Sequence, residues 1–443
     1  MKKIRRNNPA TNSLAKVLTG GPTESIDPIT IIEASRLWTK IGLLSFGGPA
    51  AHIALMHREI VMERGWLSEQ QFTNALSFCM LLPGPEAMQL ATYSGWRLHG
   101  VRGGLLAGGL FILPGASVIL ALAIGYVYFG AIGWVESLFA GLKAGVSVIV
   151  LQALIKLAKR GLTNFADWLI AIAGFVGIFF ANVPFPLIIA SAALYGFYAS
   201  HPSNDQQSVI SLPDLRTIFM TLMQWTALWW IPIFVIDLIF DNDQLAALGY
   251  FFSQLAVVTF GGAYAVLAYM AQDVVGHLGW LQPSTMMDGL GLAESTPGPL
   301  ILVTEFVGFI TAFHTGGLIN GIAGALVALW ATFIPCFLWI FVGAPYIEWL
   351  TSQPRLRGAL AAIMAAVVGV ITNLFVWFVL NILFAEIAAE KYGPVSILIP
   401  DVTTVNLTII AIAAICGGLI FWRHAGLFTI LATSGALGLI FGG

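Results

Sequence analysis

Residues 81–93 read Leu81-Leu82-Pro83-Gly84-Pro85-Glu86-Ala87-Met88-Gln89-Leu90-Ala91-Thr92-Tyr93, an apolar run interrupted by two prolines around a glycine. Two prolines remove two backbone donors and the glycine adds freedom, so a continuous helix is not expected to pass. The tripeptide recurs as Pro297-Gly298-Pro299, 214 residues later. Phe46-Gly47-Gly48 recurs as Phe260-Gly261-Gly262, and Gly65-Trp66-Leu67 as Gly279-Trp280-Leu281, at the same offset. Glu59 is matched by Asp273 and Lys143 by Arg357 at that spacing, while Pro114 pairs better with Pro335, which requires a small gap. Three tripeptides in one register read as a duplicated half.

Composition supplies the solvent. The chain is 58% hydrophobic and 9% charged, against about 25% charged residues in soluble domains. That charge cannot cover a water-exposed surface of this size, so lipid must surround most of the chain. A bilayer-crossing helix needs about 20 apolar residues, and breaks in the sequence delimit thirteen candidates: 29–56, 70–95, 103–129, 132–158, 165–181, 184–200, 217–240, 245–271, 284–312, 316–345, 357–385, 401–421 and 425–442. Weak period-2 alternation argues against a barrel, and lone strands are excluded because unpaired backbone in lipid is costly. Lys and Arg fall mostly in loops on one side if the N-terminus is inside, the bias expected of cytoplasmic loops. The basic segment Met1–Lys16 has no following apolar region and reads as a cytoplasmic tail rather than a secretory signal.

Six spans fall in each half and 217–240 stands between them. An even repeat plus one extra crossing turns the second half upside down, the arrangement of many secondary transporters. The expected fold is an all-α polytopic membrane protein: two six-helix inverted-topology repeats plus one linking helix, with broken helices at both FGG and both PGP motifs. The division is a tail at 1–28, a first repeat at 29–200, a polar linker and odd helix at 201–244, and a second repeat at 245–443.

Broken helices at membrane depth are tolerated where they line a cavity, and their half-helix N-termini suit an anion. Gly47, Gly48, Pro83, Gly84, Pro85, Gln89, Gly261, Gly262, Pro297, Gly298 and Pro299 are therefore candidate substrate-binding residues. The bland alternatives stay open: a simple kink at PGP, and close helix packing through small residues at FGG. Ionisable residues in spans are expensive and point to function. Lys143 and Arg357 could neutralise a bound anion, or could snorkel to the interface. Glu86 and Glu294 flank the breaks and are candidate proton carriers, although Glu86 could equally cap the half-helix after Pro85. The halves also differ: Arg58, Glu86 and Gln89 stand where the second half has Gln272, Leu300 and Val303.

Other chemistry finds little support. Cys79, Cys336 and Cys416 lie far apart in apolar runs and read as inert buried thiols. No HExxH or GxSxG is present, which removes the signatures of a zinc protease and a serine hydrolase. No metal, cofactor or nucleic acid is expected.

The combined motifs are recognisable. Phe46-Gly47-Gly48-Pro49, Glu63-Arg64-Gly65-Trp66-Leu67-Ser68, Leu82-Pro83-Gly84-Pro85-Glu86 and Gln89-Leu90-Ala91-Thr92-Tyr93 resemble the first-half signature of the bacterial chromate ion transporter family. Phe260-Gly261-Gly262, Gly279-Trp280-Leu281 and Thr296-Pro297-Gly298-Pro299-Leu300 resemble its second domain, in the long two-domain form. The resemblance implies a secondary transporter of the cell (inner) membrane that exports chromate, driven by the membrane potential or proton gradient. Sulfate is the look-alike oxyanion. A different anion, or a non-transporting membrane scaffold, is the competing reading. The expected partners are the oxyanion, the lipid bilayer and, as an open alternative, a second copy of the chain.

Overall fold

The computed structural model describes residues 29–200, 215–239, 242–258, 260, 263–347, 353–392 and 395–442. The proposed tail at 1–28, the polar linker 201–214 and the candidate residues Gly261 and Gly262 lie outside the described residues. The first half runs α1 (Ile31–Leu44), α2 (Gly48–Met56), a π-helical turn (His57–Met62), α3 (Glu69–Leu81), α4 (Glu86–Phe129), α5 (Gly133–Gly161), α6 (Phe165–Ala181) and α7 (Phe185–Ala199). After α8 (Leu215–Ile239) the second half repeats the order: α9 (Asp243–Val258), α10 (Ala263–Ala271), a π-helical turn (Gln272–His277), α11 (Pro283–Ser295), a 3-10 turn (Leu300–Leu302), α12 (Val303–Gly343), α13 (Pro354–Leu383), α14 (Leu407–Phe421) and α15 (Leu427–Phe441). Five of these helices are long and apolar enough to cross a membrane, and the chain is a multi-pass membrane protein built almost wholly of helices.

Local chemistry sets the boundaries. Ser68 and Gln71 form a capping box that starts α3, and Asn164 and Asp167 form another at α6, each satisfying orphan backbone donors. Gly65 and Gly279, equivalent residues after the two π turns, both sit at φ +61°, a conformation glycine adopts without a Cβ penalty. Between α2 and α3 the carboxylate of Glu59, only 1% exposed, receives Lys40 Nζ and Arg64 Nη1 at 2.7 Å each. Burial pushes the Glu59 carboxyl up, but the hydrogen bonds and charges of Lys40 and Arg64 prevail and hold it below the ordinary carboxylate range.

α4 is not one rod. Its 44 residues would extend ~66 Å if straight, about twice the hydrocarbon core. His99 and Gly100 leave helical geometry, with Gly100 at φ +60°, and the chain turns back on itself. The two arms touch backbone to backbone, because a Cβ on Gly95 would collide with the Gly103 carbonyl and the reverse holds for Gly103. α12 turns in the same way at Gly316 and Gly317, with Gly308 against Gly324. The second hairpin is longer by about one helical turn on each arm.

That insertion corrects one element of the repeat. Beyond the hairpins the equivalent contacts are Ser137 and Gly141 against Gly438, and Gly358 and Ala362 against Gly196. This register keeps Pro114 with Pro335 but pairs Lys143 with Met364 and Arg357 with Glu136. Lys143 and Arg357 are therefore not repeat mates.

The halves interlock reciprocally. α5 packs against α14 and α15, α13 packs against α6 and α7, and α4 crosses α12 between them. Within each half the first helix lies on the long hairpin, α1 on α4 and α9 on α12. α8 lies on α9 and α12, held there by Trp229 Nε1, which donates to Ser253 Oγ at 2.9 Å. One feature departs from the expected helices and loops. Residues 387–392 and 395–400 form an antiparallel pair, Ile387 opposite Pro400 and Tyr392 opposite Val395, between α13 and α14.

Lys143 joins the halves. Its Nζ lies 3.0 Å from Asp288 Oδ1, with the side chains 17% and 8% exposed, and Tyr126 donates its hydroxyl to Asp288 Oδ2 at 2.9 Å. The trio ties α4 and α5 of the first half to α11 of the second. Removing one partner of a buried pair costs about 3–5 kcal/mol, whereas neutral replacement of both is often tolerated. Lys143→Met should therefore lower the thermal midpoint and the monodisperse yield of detergent-solubilised protein, and Lys143→Met/Asp288→Asn should restore most of the loss. A single variant that folds normally yet loses transport would instead assign Lys143 to the anion.

Candidate functional site

The first break starts where α1 runs out of helix formers. Ser45 folds its hydroxyl back onto the Ile41 carbonyl at 2.6 Å, and Gly47 and Gly48 follow at φ +90° and +79°. Two successive left-handed residues are open to glycine and strained for other side chains. α2 then begins with Pro49 in its first turn and no side-chain cap, so its first backbone N–H groups have no intrahelical acceptor.

The two PGP breaks are seated on the opposite half. Gly84 sits at φ +116°, and a Cβ there would lie 2.9 Å from both Cys336 Sγ and Gln89 Nε2. Gln89 Nε2 donates to the Pro83 carbonyl at 2.6 Å, which holds the bend. Reciprocally, Gly298 sits at φ +92°, its would-be Cβ 3.3 Å from Gly115 Cα, while a Cβ on Gly115 would collide with the Pro297 carbonyl. Cys336 follows Pro335 and Gly115 follows Pro114, so each half supplies the same seat to the other's break. Gly298 N–H also donates to the Ser45 carbonyl at 2.7 Å, which ties the second PGP to the first FGG.

Beside these breaks lies a cavity of about 1020 Å³. Gly47 and Gly48 at the start of α2, Gly84 and Glu86 at the first PGP, and Glu294 at the end of α11 all line it. Pro83, Pro85, Pro297, Gly298 and Pro299 frame the bends and do not line the cavity, and Gln89 holds one bend from behind. Lys143 stands apart with Asp288. Arg357 is exposed at the start of α13, one turn before the lining residue Leu360.

Its walls are mostly apolar and its charges are separated. Glu294 is buried and accepts the Tyr264 hydroxyl at 2.9 Å. Glu86 occupies the first turn of α4, where the helix dipole favours a carboxylate. Exposed Lys156 and Arg160 also line the space, as does His424 from the turn between α14 and α15. A polar, partly basic entrance thus leads to an interior with two carboxyls and one uncapped helix start. The three cysteines are free and buried, and no His/Cys/Asp/Glu cluster able to hold a metal occurs among the described residues.

Tyr264, Lys156, Arg160 and His424 were not singled out from sequence. Lys156 and Arg160 are spaced to share one helix face, a signal hidden by their position in a basic loop-proximal run. Tyr264 stands where the first half has Ala50, and that contrast is its signal.

Comparison with known proteins agrees with this architecture. The profile of the family described as chromate transporter matches residues 32–197 and 246–439. A probable chromate transport protein of Synechococcus elongatus is 30% identical over 348 residues, 77% of this chain and 82% of the relative. The chromate transport protein of Cupriavidus metallidurans is 28% identical, covering 80% of this chain and 84% of its own length. That of Pseudomonas aeruginosa is 30% identical, covering 80% and 82%. No solved structure matches. With both halves matched and the relatives aligned over most of their length, the chain belongs to the chromate transporter family.

Proposed function

We propose that this chain is a secondary transporter that exports a chromate-class oxyanion from the cytoplasm through the cavity beside the breaks. The observation that carries the reading is the uncapped start of α2 at Gly47 and Gly48, facing a cavity of about 1020 Å³ with Lys156 and Arg160 along its wall. Unpartnered N–H groups at a helix start and nearby cations are the means by which proteins hold oxyanions without a cofactor. The domain division at 29–200, 201–244 and 245–443 belongs to this proposal. So does the inverted relation of the halves, supported by the reciprocal seats at Gly115 and Cys336 and by the single odd helix α8.

Direction follows from charge. With the Lys- and Arg-rich side taken as cytoplasmic, the turn after α5 faces the cytoplasm and an anion entering past Lys156 and Arg160 loads from there. An inside-negative potential then assists exit by about 2.3 kcal/mol per charge per 100 mV, on the order of 4–5 kcal/mol for a dianion. A proton leaving with it would reduce that assistance by one charge. Glu86 and Glu294 are the groups that could carry such a proton, because a dianion beside either carboxylate is repelled until the carboxyl is protonated.

Sulfate shares the tetrahedral shape and double charge, so the geometry fits it as well as chromate. Inverted membrane vesicles containing the protein should accumulate chromate when energised, and excess sulfate should compete if the cavity reads only shape and charge. Uptake no greater than in vesicles lacking the protein would sink the export reading. Glu86→Gln should retain oxyanion binding while changing the pH dependence of transport. An unchanged pH profile at full rate would leave Glu86 as a cap of α4 and nothing more.

A further inference from the structure

Tyr264 has no part in the function argued so far, yet it stands between the two elements that function needs. It is the second residue of α10 and lines the same cavity as Gly48 and Glu294. Its hydroxyl donates to Glu294 Oε1 at 2.9 Å. The same oxygen lies 3.9 Å from where a Cβ on Gly48 would be, so it borders the open start of α2. Glu294 is 5% exposed, and among the described residues its one recorded hydrogen bond is this one.

A phenol has a single O–H to donate. It can serve the Glu294 carboxylate or an oxyanion at Gly47 and Gly48, not both. A buried carboxylate stripped of its donor is costly to keep charged, and its remedy is to take a proton from cavity water. We propose that Tyr264 couples oxyanion binding to protonation of Glu294 by moving its one O–H from the carboxylate to the anion. The bond formed is the O–H of Glu294; cavity water gives up the proton and is reprotonated from bulk solvent, so the medium loses one proton as one oxyanion binds. The coupling rests on the oxyanion-transport reading above and deepens it.

The surrounding titratable groups permit this assignment. Glu86 from α4, Cys79 from α3, Lys156 and Arg160 from α5, and His424 from the α14–α15 turn line the same cavity. On the two helices themselves, Asp288 is paired with Lys143 and Tyr269 stacks on Phe185. From the other packed elements, α12 carries the buried Glu305 and α13 begins with the exposed Arg357. Among the described residues, Tyr264 is the one that joins a cavity carboxyl to the border of the helix start. The first half has no equivalent, since Ala50 and Met80 occupy the matched positions.

The test measures chromate binding and proton uptake together on purified full-length protein in weak buffer, then transport against pH in inverted vesicles. Wild type should take up protons as chromate binds near neutral pH. Tyr264→Phe should raise the KM for chromate roughly tenfold or more, as loss of a hydrogen bond to a charged group does, and should lose the proton uptake. Glu294→Gln should also lose the uptake, and adding Tyr264→Phe to it should leave the pH profile where Glu294→Gln put it. Chromate binding by wild type without proton uptake overturns the coupling while leaving transport intact, and needs no variant to fold. So does a Tyr264→Phe protein with wild-type KM and pH profile. No chromate binding by wild type at all overturns the transport reading, and the coupling with it.

Discussion

A peptide group inside the hydrocarbon layer has no water to bond, and each one left unsatisfied costs several kcal/mol. Every break in this chain is shaped by that constraint. Prolines at 83, 85, 297 and 299 remove donors, glycines at 47, 48, 84 and 298 turn the backbone, and the exposed polar groups must find partners within the protein. Gln89 supplies one partner to the Pro83 carbonyl and the Ser45 carbonyl supplies another to Gly298 N–H. Breaks of this kind cannot face lipid, so they gather at the junction of the two halves, and the junction becomes the place where a cavity is possible.

The same constraint explains why the halves are interlocked rather than set side by side. A PGP bend needs a neighbour that can come close without a side chain or with a small one. Gly115 and Cys336, each following a proline in the long second arm of a hairpin, provide that neighbour to the opposite half. The last two helices of each half complete the exchange by packing on the helix of the other half that follows its hairpin. Neither half could bury its own bend in this way alone. Duplication therefore supplies the scaffold and its contacts in pairs, and differences between the copies are free to supply chemistry.

What was legible in the sequence is what acts locally. The breaks at Gly47 and at both PGP motifs follow from proline and glycine chemistry, and the all-helical membrane character follows from composition, although among the described residues five helices rather than thirteen are long and apolar enough to cross a membrane. The match of Lys143 with Arg357 failed because the longer Gly308–Gly324 hairpin shifts the register, and a shift inside an apolar run leaves no mark until the glycines meet in space. The strand pair at 387–400 was missed because six residues of mixed polarity carry too little periodicity to stand out. Tyr264 was hidden because a tyrosine in an apolar helix looks like any interfacial aromatic. Its meaning depends on Glu294, thirty positions away in sequence and 2.9 Å away in space.

The two cavity carboxyls sharpen the difference between scaffold and chemistry. Glu86 and Glu294 are not symmetry mates: their counterparts are Leu300 and Met80. Each lies on a different side of its own PGP, Glu86 just after one and Glu294 just before the other, and the fold brings both to one cavity. A unit charge pair 4 Å apart at a partly screened site is worth about 4 kcal/mol, so two charged carboxylates and a dianion could not share this space without compensation. Lys156 and Arg160 offset part of that charge but are exposed, where screening by water and salt weakens them. The remaining imbalance is relieved most directly by neutralising a carboxyl when an anion arrives. On the proposed transport function, a cavity carrying acids as well as cations suits a carrier that exchanges charge at each turn better than a permanent anion trap.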